Sequence, residues 1–155
     1  RAPCSLNEVI EDCLGFVEAD ARKKHVQIEC SIAKTPSITA DRLMLEQVLL
    51  NLIRNAMEAM SSTEEGSRHL TITTGIDGAE LRVCVRDQGC GITQEIRDKL
   101  FTAFFTTKPE GMGIGLSICR SIIEFHRGRL WVEDNLLSST GSGTIFIFTL
   151  PLEAT

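Results

Sequence analysis

The sequence predicts a single α+β domain in which amphipathic helices cover one face of a β-sheet. Its 155 residues are 43% hydrophobic and 24% charged, values typical of a globular domain with one core. Apolar residues recur at helical spacing in two long segments, whereas other segments are short, rich in β-branched residues and bounded by Gly, Pro or Asp. No internal repeat interrupts this pattern, so residues 1–155 are expected to form one unit.

The N-terminal segment, residues 1–25, predicts an amphipathic helix. Ser5 and Glu8 form a capping box ahead of an apolar series that recurs every three or four residues as far as Val17. The helix is expected to end near Lys23, where basic side chains complement the helix dipole.

Two short strands and a second long helix follow. Residues 26–32 alternate with a period of two, and residues 37–40 come after a proline turn. Asp41 is the predicted N-cap of a helix over residues 42–60. The apolar face of this helix should lie on the sheet; it comprises Leu45, Leu49, Leu52, Ala56 and Ala59.

The second half of the chain adds the remaining strands and helices. The pattern predicts strands at 70–74, 81–86, 129–133 and 144–150, and helices near 94–100 and from residue 116 onward. The Asp77-Gly78 pair is the turn signal between the first two of these strands.

Charge and cysteine usage exclude several classes of function. A net charge of −5 without any Lys/Arg run provides no electrostatic footprint for nucleic acid. There is no bilayer-length apolar run and no signal-peptide pattern, so no direct membrane contact is expected. Six scattered cysteines and three isolated histidines lack metal-ligand spacing, which indicates reduced thiols in a cytoplasmic domain.

Two glycine motifs indicate a nucleotide site. Asp87-Gln88-Gly89-Cys90-Gly91 offers one carboxylate beside backbone that glycine makes flexible. Gly111-Met112-Gly113-Ile114-Gly115-Leu116 opens a helix, whose N-terminal amides and dipole favour phosphate. The first motif suits a base and the second a phosphate tail.

The long helix carries a row of amide side chains at four-residue spacing: Gln47, Asn51 and Asn55. Amide oxygens suit Mg²⁺, an ion that keeps several waters and takes few protein ligands. Taken alone, the row is equally compatible with a solvated polar edge of the helix.

Taken together and in this order, the motifs resemble those of the ATP-binding catalytic domain of sensor histidine kinases, and the resemblance covers nearly all 155 residues. The matching segments are an N box (51–56), a G1 box (87–91), an F box (101–108), a G2 box (111–116) and a terminal Gly141-Ser142-Gly143-Thr144. The wording of the N and F boxes is most similar to the PAS-linked branch that includes rhizobial oxygen sensors and aromatic-hydrocarbon sensors.

The resemblance implies a Bergerat-type two-layer α/β sandwich, with a mixed five-stranded sheet packed on about three helices and a flexible ATP lid at 101–114. It implies ATP and Mg²⁺ as cofactors, Asn55 as the Mg²⁺ ligand, Asn51 as a support for metal and phosphate, and Asp87 as the acceptor for the adenine amino group. The other implied nucleotide-binding residues are Gly89, Gly91, Ile92, Phe101, Thr106, Thr107, Gly111, Gly113, Ile114, Gly115, Leu116 and Thr144.

Two positions depart from the family pattern. Glu58 stands where many histidine kinases carry a lysine, so Lys108 on the lid is the candidate catalytic cation and Arg120 the alternative. Both are also compatible with ordinary exposed surface cations. Asn51 stands where gyrase-like relatives carry a water-activating glutamate, and because an amide accepts no proton near neutral pH, slow ATP hydrolysis is expected.

The nucleophile of the family is a histidine on a separate dimerising hairpin, and no matching box is present. His25, His69 and His126 are interpreted as structural. The chain is therefore expected to be a monomeric catalytic fragment that does not autophosphorylate alone. Its expected partners are ATP, the hairpin of the same parent protein and, through that parent, a response regulator; the parent itself is compatible with membrane anchoring.

Three alternatives share the site motifs. A serine kinase of the anti-sigma type is disfavoured by the Phe104-Phe105-Thr106-Thr107-Lys108 segment, and a conformational ATPase of the gyrase, mismatch-repair or chaperone type by Asn51. A noncatalytic ATP-sensing module is disfavoured by the intact motifs.

Overall fold

The computed structural model describes residues 2–99, 101, 115–136 and 142–152. Their elements, in chain order, are β1 (Ala2–Cys4), α1 (Leu6–Lys23), β2 (Gln27–Ser31), β3 (Ile38–Ala40), α2 (Arg42–Ala59), β4 (His69–Asp77), β5 (Glu80–Arg86), α3 (Gln94–Lys99), α4 (Gly115–Phe125), β6 (Arg129–Asp134) and β7 (Thr144–Pro151), with a short 3₁₀ turn at Glu65–Ser67.

The main sheet has five strands in the order β2-β4-β5-β7-β6. Strands β2 and β4 are parallel, and every other neighbouring pair is antiparallel, so the sheet is mixed. The antiparallel register of β5 and β7 sets Arg86 opposite Ile145. Asp87, the next residue of the chain, therefore emerges beside Thr144 at one rim of the sheet. This architecture confirms the predicted α+β sandwich.

The core lies between one face of the sheet and the helices. Alternate residues of β7 (Phe146, Phe148 and Leu150) face the helices, as the period of two requires. The predicted apolar face of α2 is buried, with Leu45, Leu49, Leu52 and Ala56 at 1% exposure or less; Ala59 is half-buried. Because β5 and β7 are central, their rim is held in place on both sides.

The prediction that residues 1–25 form one helix is wrong at its start. Helix α1 begins at Leu6, and the Ser5 Oγ accepts the Glu8 N–H at 3.4 Å as the capping box predicts. Residues 2–4 instead pair antiparallel with β3 in a separate two-stranded sheet. Strand β3 therefore does not join the main sheet.

The His126 side chain links the end of α4 to the start of α2 through hydrogen bonds, which confirms the prediction that this histidine is structural. The ring is buried; its Nε2 accepts the Asp41 N–H at 3.0 Å, and its Nδ1 lies 2.8 Å from the Ile122 carbonyl oxygen. Since Nε2 accepts a hydrogen bond here, Nδ1 is the ring atom that donates to the Ile122 carbonyl oxygen. Helices α2 and α4, which carry the candidate site, are thus held together.

All six cysteines carry free thiols. Burial raises the pKa of Cys13 and of Cys119 to about 11, whereas the side chains of Cys30 and Cys90 are exposed. Within the described ranges, no helix combines the length and apolar character needed to cross a membrane.

Candidate nucleotide site

Asp87 lies at the rim of the sheet and is only 1% exposed. Its Oδ1 accepts the Gly89 N–H at 2.9 Å and the Thr144 N–H at 3.2 Å. Its backbone N–H donates to the Thr144 carbonyl oxygen at 2.9 Å, which extends the β5–β7 ladder by one residue. Backbone from both strands therefore fixes the direction of the one buried carboxylate in the described residues.

The glycine loop, residues 87–91, packs against the C-terminal end of α2. A Cβ on Gly89 would lie 2.7 Å from the Ala59 carbonyl carbon and closer still to its oxygen, and that oxygen accepts the Cys90 N–H at 3.3 Å. Gly91 meets no such obstacle but has φ +76°, in the left-handed region. Glycine is thus required at both positions, for close approach at one and for backbone conformation at the other.

The strand β7 side of the loop involves Ser142, which lies in the predicted terminal motif but had no assigned role, and Asn135, which the sequence did not reveal. Ser142 Oγ donates to the Gly89 carbonyl oxygen at 2.6 Å, and Asn135 Nδ2 donates to the Asp87 carbonyl oxygen at 2.7 Å. An asparagine after a strand is typical of a turn. No local signal therefore distinguishes Asn135 from an ordinary loop residue.

Asn51 and Asn55 are half-buried on α2, whereas Gln47 is exposed. Along the helix axis, Asn55 lies about 6 Å and Asn51 about 12 Å from Ala59, the residue that contacts the glycine loop. The two amides therefore lie on the same helix as the loop contact, one and two turns before it. Asn51 also hydrogen-bonds the buried Cys119 thiol of α4, and this bond opposes the rise that burial causes in the pKa of Cys119.

The start of α4 carries two further predicted site residues. Gly115 and Leu116 form its first turn and are half-buried, as are Ile92 and Phe101. The guanidinium of Arg120, the alternative catalytic cation, lies 5.1 Å from the centre of the Phe101 ring. Glu58 is exposed on α2. The remaining predicted site residues, Thr106, Thr107, Lys108, Gly111, Gly113 and Ile114, lie outside the described residues, as does most of the predicted lid at 101–114.

Comparison with known proteins accounts for this arrangement. Residues 40–154 match the family described as histidine kinase-, DNA gyrase B-, and HSP90-like ATPases. The chain belongs to this family. The matched range includes α2, the glycine loop, α4 and strands β4 to β7.

Within this ATPase family, the chain is similar to sensor kinases. It is 42% identical to the sensor protein TdiS of Thauera aromatica and 43% identical to the sensor protein FixL of Bradyrhizobium diazoefficiens, over 98% and 95% of its length but 28% of theirs. The chain thus spans about a quarter of these relatives. TdiS and FixL confirm the PAS-linked branch of sensor kinases that the N-box and F-box sequences predicted.

Solved structures of histidine kinases are also similar to this chain. The catalytic domain of histidine kinase ThkA superposes with a TM-score of 0.84 at 37% identity, covering 97% of this chain and 94% of that one. ThkA in complex with the response regulator TrrA superposes with a TM-score of 0.81 at 34% identity, covering 98% of this chain and 42% of that one. Over nearly its whole length, the chain corresponds to the catalytic domain of a sensor histidine kinase.

Proposed function

We propose that this domain binds Mg²⁺-ATP and transfers the γ-phosphoryl group to a histidine on the dimerisation hairpin of the same parent protein. The observation that carries the proposal is the Asp87 carboxylate. It is buried at the rim of the sheet, near the end of α2, and two backbone N–H groups fix its direction. A buried acceptor next to a row of metal-compatible oxygens suits a nucleotide whose base and phosphates must be held apart.

Asp87 is the proposed acceptor for the adenine amino group. A carboxylate accepts hydrogen bonds and donates none, so guanine, which presents a carbonyl at that position, would leave it unpaired. A site built around such a bond discriminates by about 10⁴ against a ligand that lacks it. Gly89 and Gly91 allow the loop to approach the base, and Ile92 and Thr144 border it.

Asn55 and Asn51 are the proposed supports for Mg²⁺ and phosphate. Their half-buried amide oxygens fit a hard cation that the phosphates already neutralise in part, and such an ion supplies charge neutralisation to the phosphoryl group. The first amides of α4, at Gly115 and Leu116, suit phosphate oxygens. Lys108 is the proposed further cation, with Arg120 as the alternative.

Phosphoryl transfer depends mainly on alignment and charge neutralisation, so the nucleophile is free to come from another domain. Asn51 cannot serve as a general base for water, which favours an external histidine over hydrolysis. The response regulator is the proposed next acceptor through the parent protein, in keeping with the ThkA complex with TrrA. A cytoplasmic location is supported by the need for ATP and by the six free thiols.

Two measurements test the proposal. Titration of fluorescent ADP into the 155-residue chain, with and without Mg²⁺, should show binding that Asp87→Asn weakens. Radiolabelled ATP should then label an added parent hairpin at histidine, while steady-state hydrolysis by the domain alone stays slow. Absence of nucleotide binding by the folded protein would overturn the whole proposal. Binding without labelling would leave only a nucleotide-sensing module.

A further inference from the structure

Asn135 lies behind the glycine loop, directly after β6, and is 8% exposed. Besides the bond from its Nδ2 to the Asp87 carbonyl oxygen, its backbone N–H donates to the Gly143 carbonyl oxygen at 3.1 Å. One buried residue therefore joins two segments that are far apart in the chain, the end of β5 and the start of β7.

The first segment carries the Asp87 carboxylate, and the second carries one of the N–H donors that set its direction. Gly143 immediately precedes Thr144, whose N–H donates to Asp87 Oδ1. The three contacts close a ring from Asn135 to Asp87, from Asp87 to Thr144, and through Gly143 back to Asn135. The ring is tight: a Cβ on Gly143 would lie 3.2 Å from the Asn135 Cβ and closer still to the Asp87 carbonyl oxygen.

We propose that Asn135 is a positioning residue for adenine recognition, which holds the backbones of Asp87 and Gly143 so that the carboxylate points at the base. The inference rests on the proposed function of Asp87. Loss of the Asn135 side chain would leave the buried Asp87 carbonyl without this donor and allow the loop to shift. Because a hydrogen bond weakens steeply as its distance and angle change, a shift of the loop would weaken the bond between the carboxylate and the base.

The test compares ATP with purine riboside triphosphate, which lacks the 6-amino group. The wild-type chain should bind ATP about ten- to a hundredfold more tightly, the effect of one hydrogen bond to a charged acceptor. Asn135→Asp is nearly isosteric but replaces the donor by an acceptor, and Asn135→Ala removes it. Both should reduce the ATP preference by about tenfold, because the hydrogen bond to the carboxylate is weakened. The control is Leu136→Ala at the neighbouring, 88% exposed position, which should leave the preference unchanged.

A purely structural role predicts a different result: the Asn135 variants would melt at lower temperature yet keep the full preference for ATP once folded. That outcome would overturn the inference. Ser142→Ala provides a second test at a half-buried position, because it removes the bond to the Gly89 carbonyl and should reduce the preference in the same direction. If the wild-type chain itself shows no preference, the assignment of Asp87 fails instead.

Discussion

Replacement of Gly89 by alanine tests how closely the glycine loop and α2 are joined. The new Cβ would lie 2.7 Å from the Ala59 carbonyl carbon and 2.9 Å from its Cβ, against an ordinary carbon–carbon contact of about 3.5 Å. The loop or the end of the helix must therefore move by roughly 0.8 Å. Neither is the tip of a flexible side chain, so the strain is not relieved by a rotamer change.

The expected cost follows from two contributions. Overpacking of this kind costs about 1–3 kcal/mol, and weakening of the Cys90 N–H bond to the Ala59 carbonyl costs about 1 kcal/mol more. A total of about 2–4 kcal/mol lowers the melting temperature of a domain of this size by about 5–15 °C. ADP affinity should fall as well, because the Gly89 N–H orients Asp87 Oδ1.

Two other glycines supply controls in the same thermal melt and ADP titration. Gly91→Ala would make only ordinary contacts, at 3.7 Å and beyond, but retains a positive φ, so it should cost about 1–2 kcal/mol through strain alone. Gly15→Ala is exposed in the middle of α1 with no atom in the way, and should stabilise the protein by about 0.5–1 kcal/mol. If Gly89→Ala melted and bound ADP like the wild type, the argument from close approach would be refuted.

Two further predictions concern groups buried away from the rim. Burial raises the pKa of Cys13 and of Cys119 from the ordinary 9.0 to about 11, so both states are protonated below pH 9 and only the folded state stays protonated between pH 9 and 11. The unfolding free energy should fall between pH 9 and 11 by roughly 2–3 kcal/mol per thiol, and alanine variants should flatten that slope in urea melts. His126→Leu leaves the Asp41 N–H without its acceptor and should cost about 2–3 kcal/mol, whereas the exposed His25→Asn should cost little; equal melting temperatures would contradict this.

The helices were predictable because their determinants are local. Ser5 and Asp41 cap α1 and α2 through side-chain bonds to amides three residues ahead, as their spacing indicates. The apolar period then sets which face is buried. Strand β1 was not predictable in this way, since three residues hold no period and its partner β3 lies more than thirty residues downstream.

The residues of the candidate site also differ in whether local sequence predicts their contacts. Asp87, Gly89 and Gly91 lie in one short motif whose glycines already signal unusual backbone geometry. Asn135 and Ser142 act on that motif from 48 and 53 residues away, each through a side chain bonded to a backbone carbonyl. Such contacts depend on the registers of β5, β6 and β7, and register is a property of the folded sheet.

A substitution at Asp87 should lower nucleotide affinity without lowering stability, whereas a substitution at Gly89 should lower both. In Asp87→Asn, the amide keeps the Oδ1 that accepts the Gly89 and Thr144 N–H groups, so the rim retains its own bonds. The second oxygen becomes an N–H₂ donor, which would face the donor on adenine. ADP affinity should therefore fall by about 2–3 kcal/mol, roughly 30- to 150-fold, while the melting temperature changes by no more than a few degrees. A variant that lost stability without losing affinity would show that the carboxylate serves the fold and not the nucleotide.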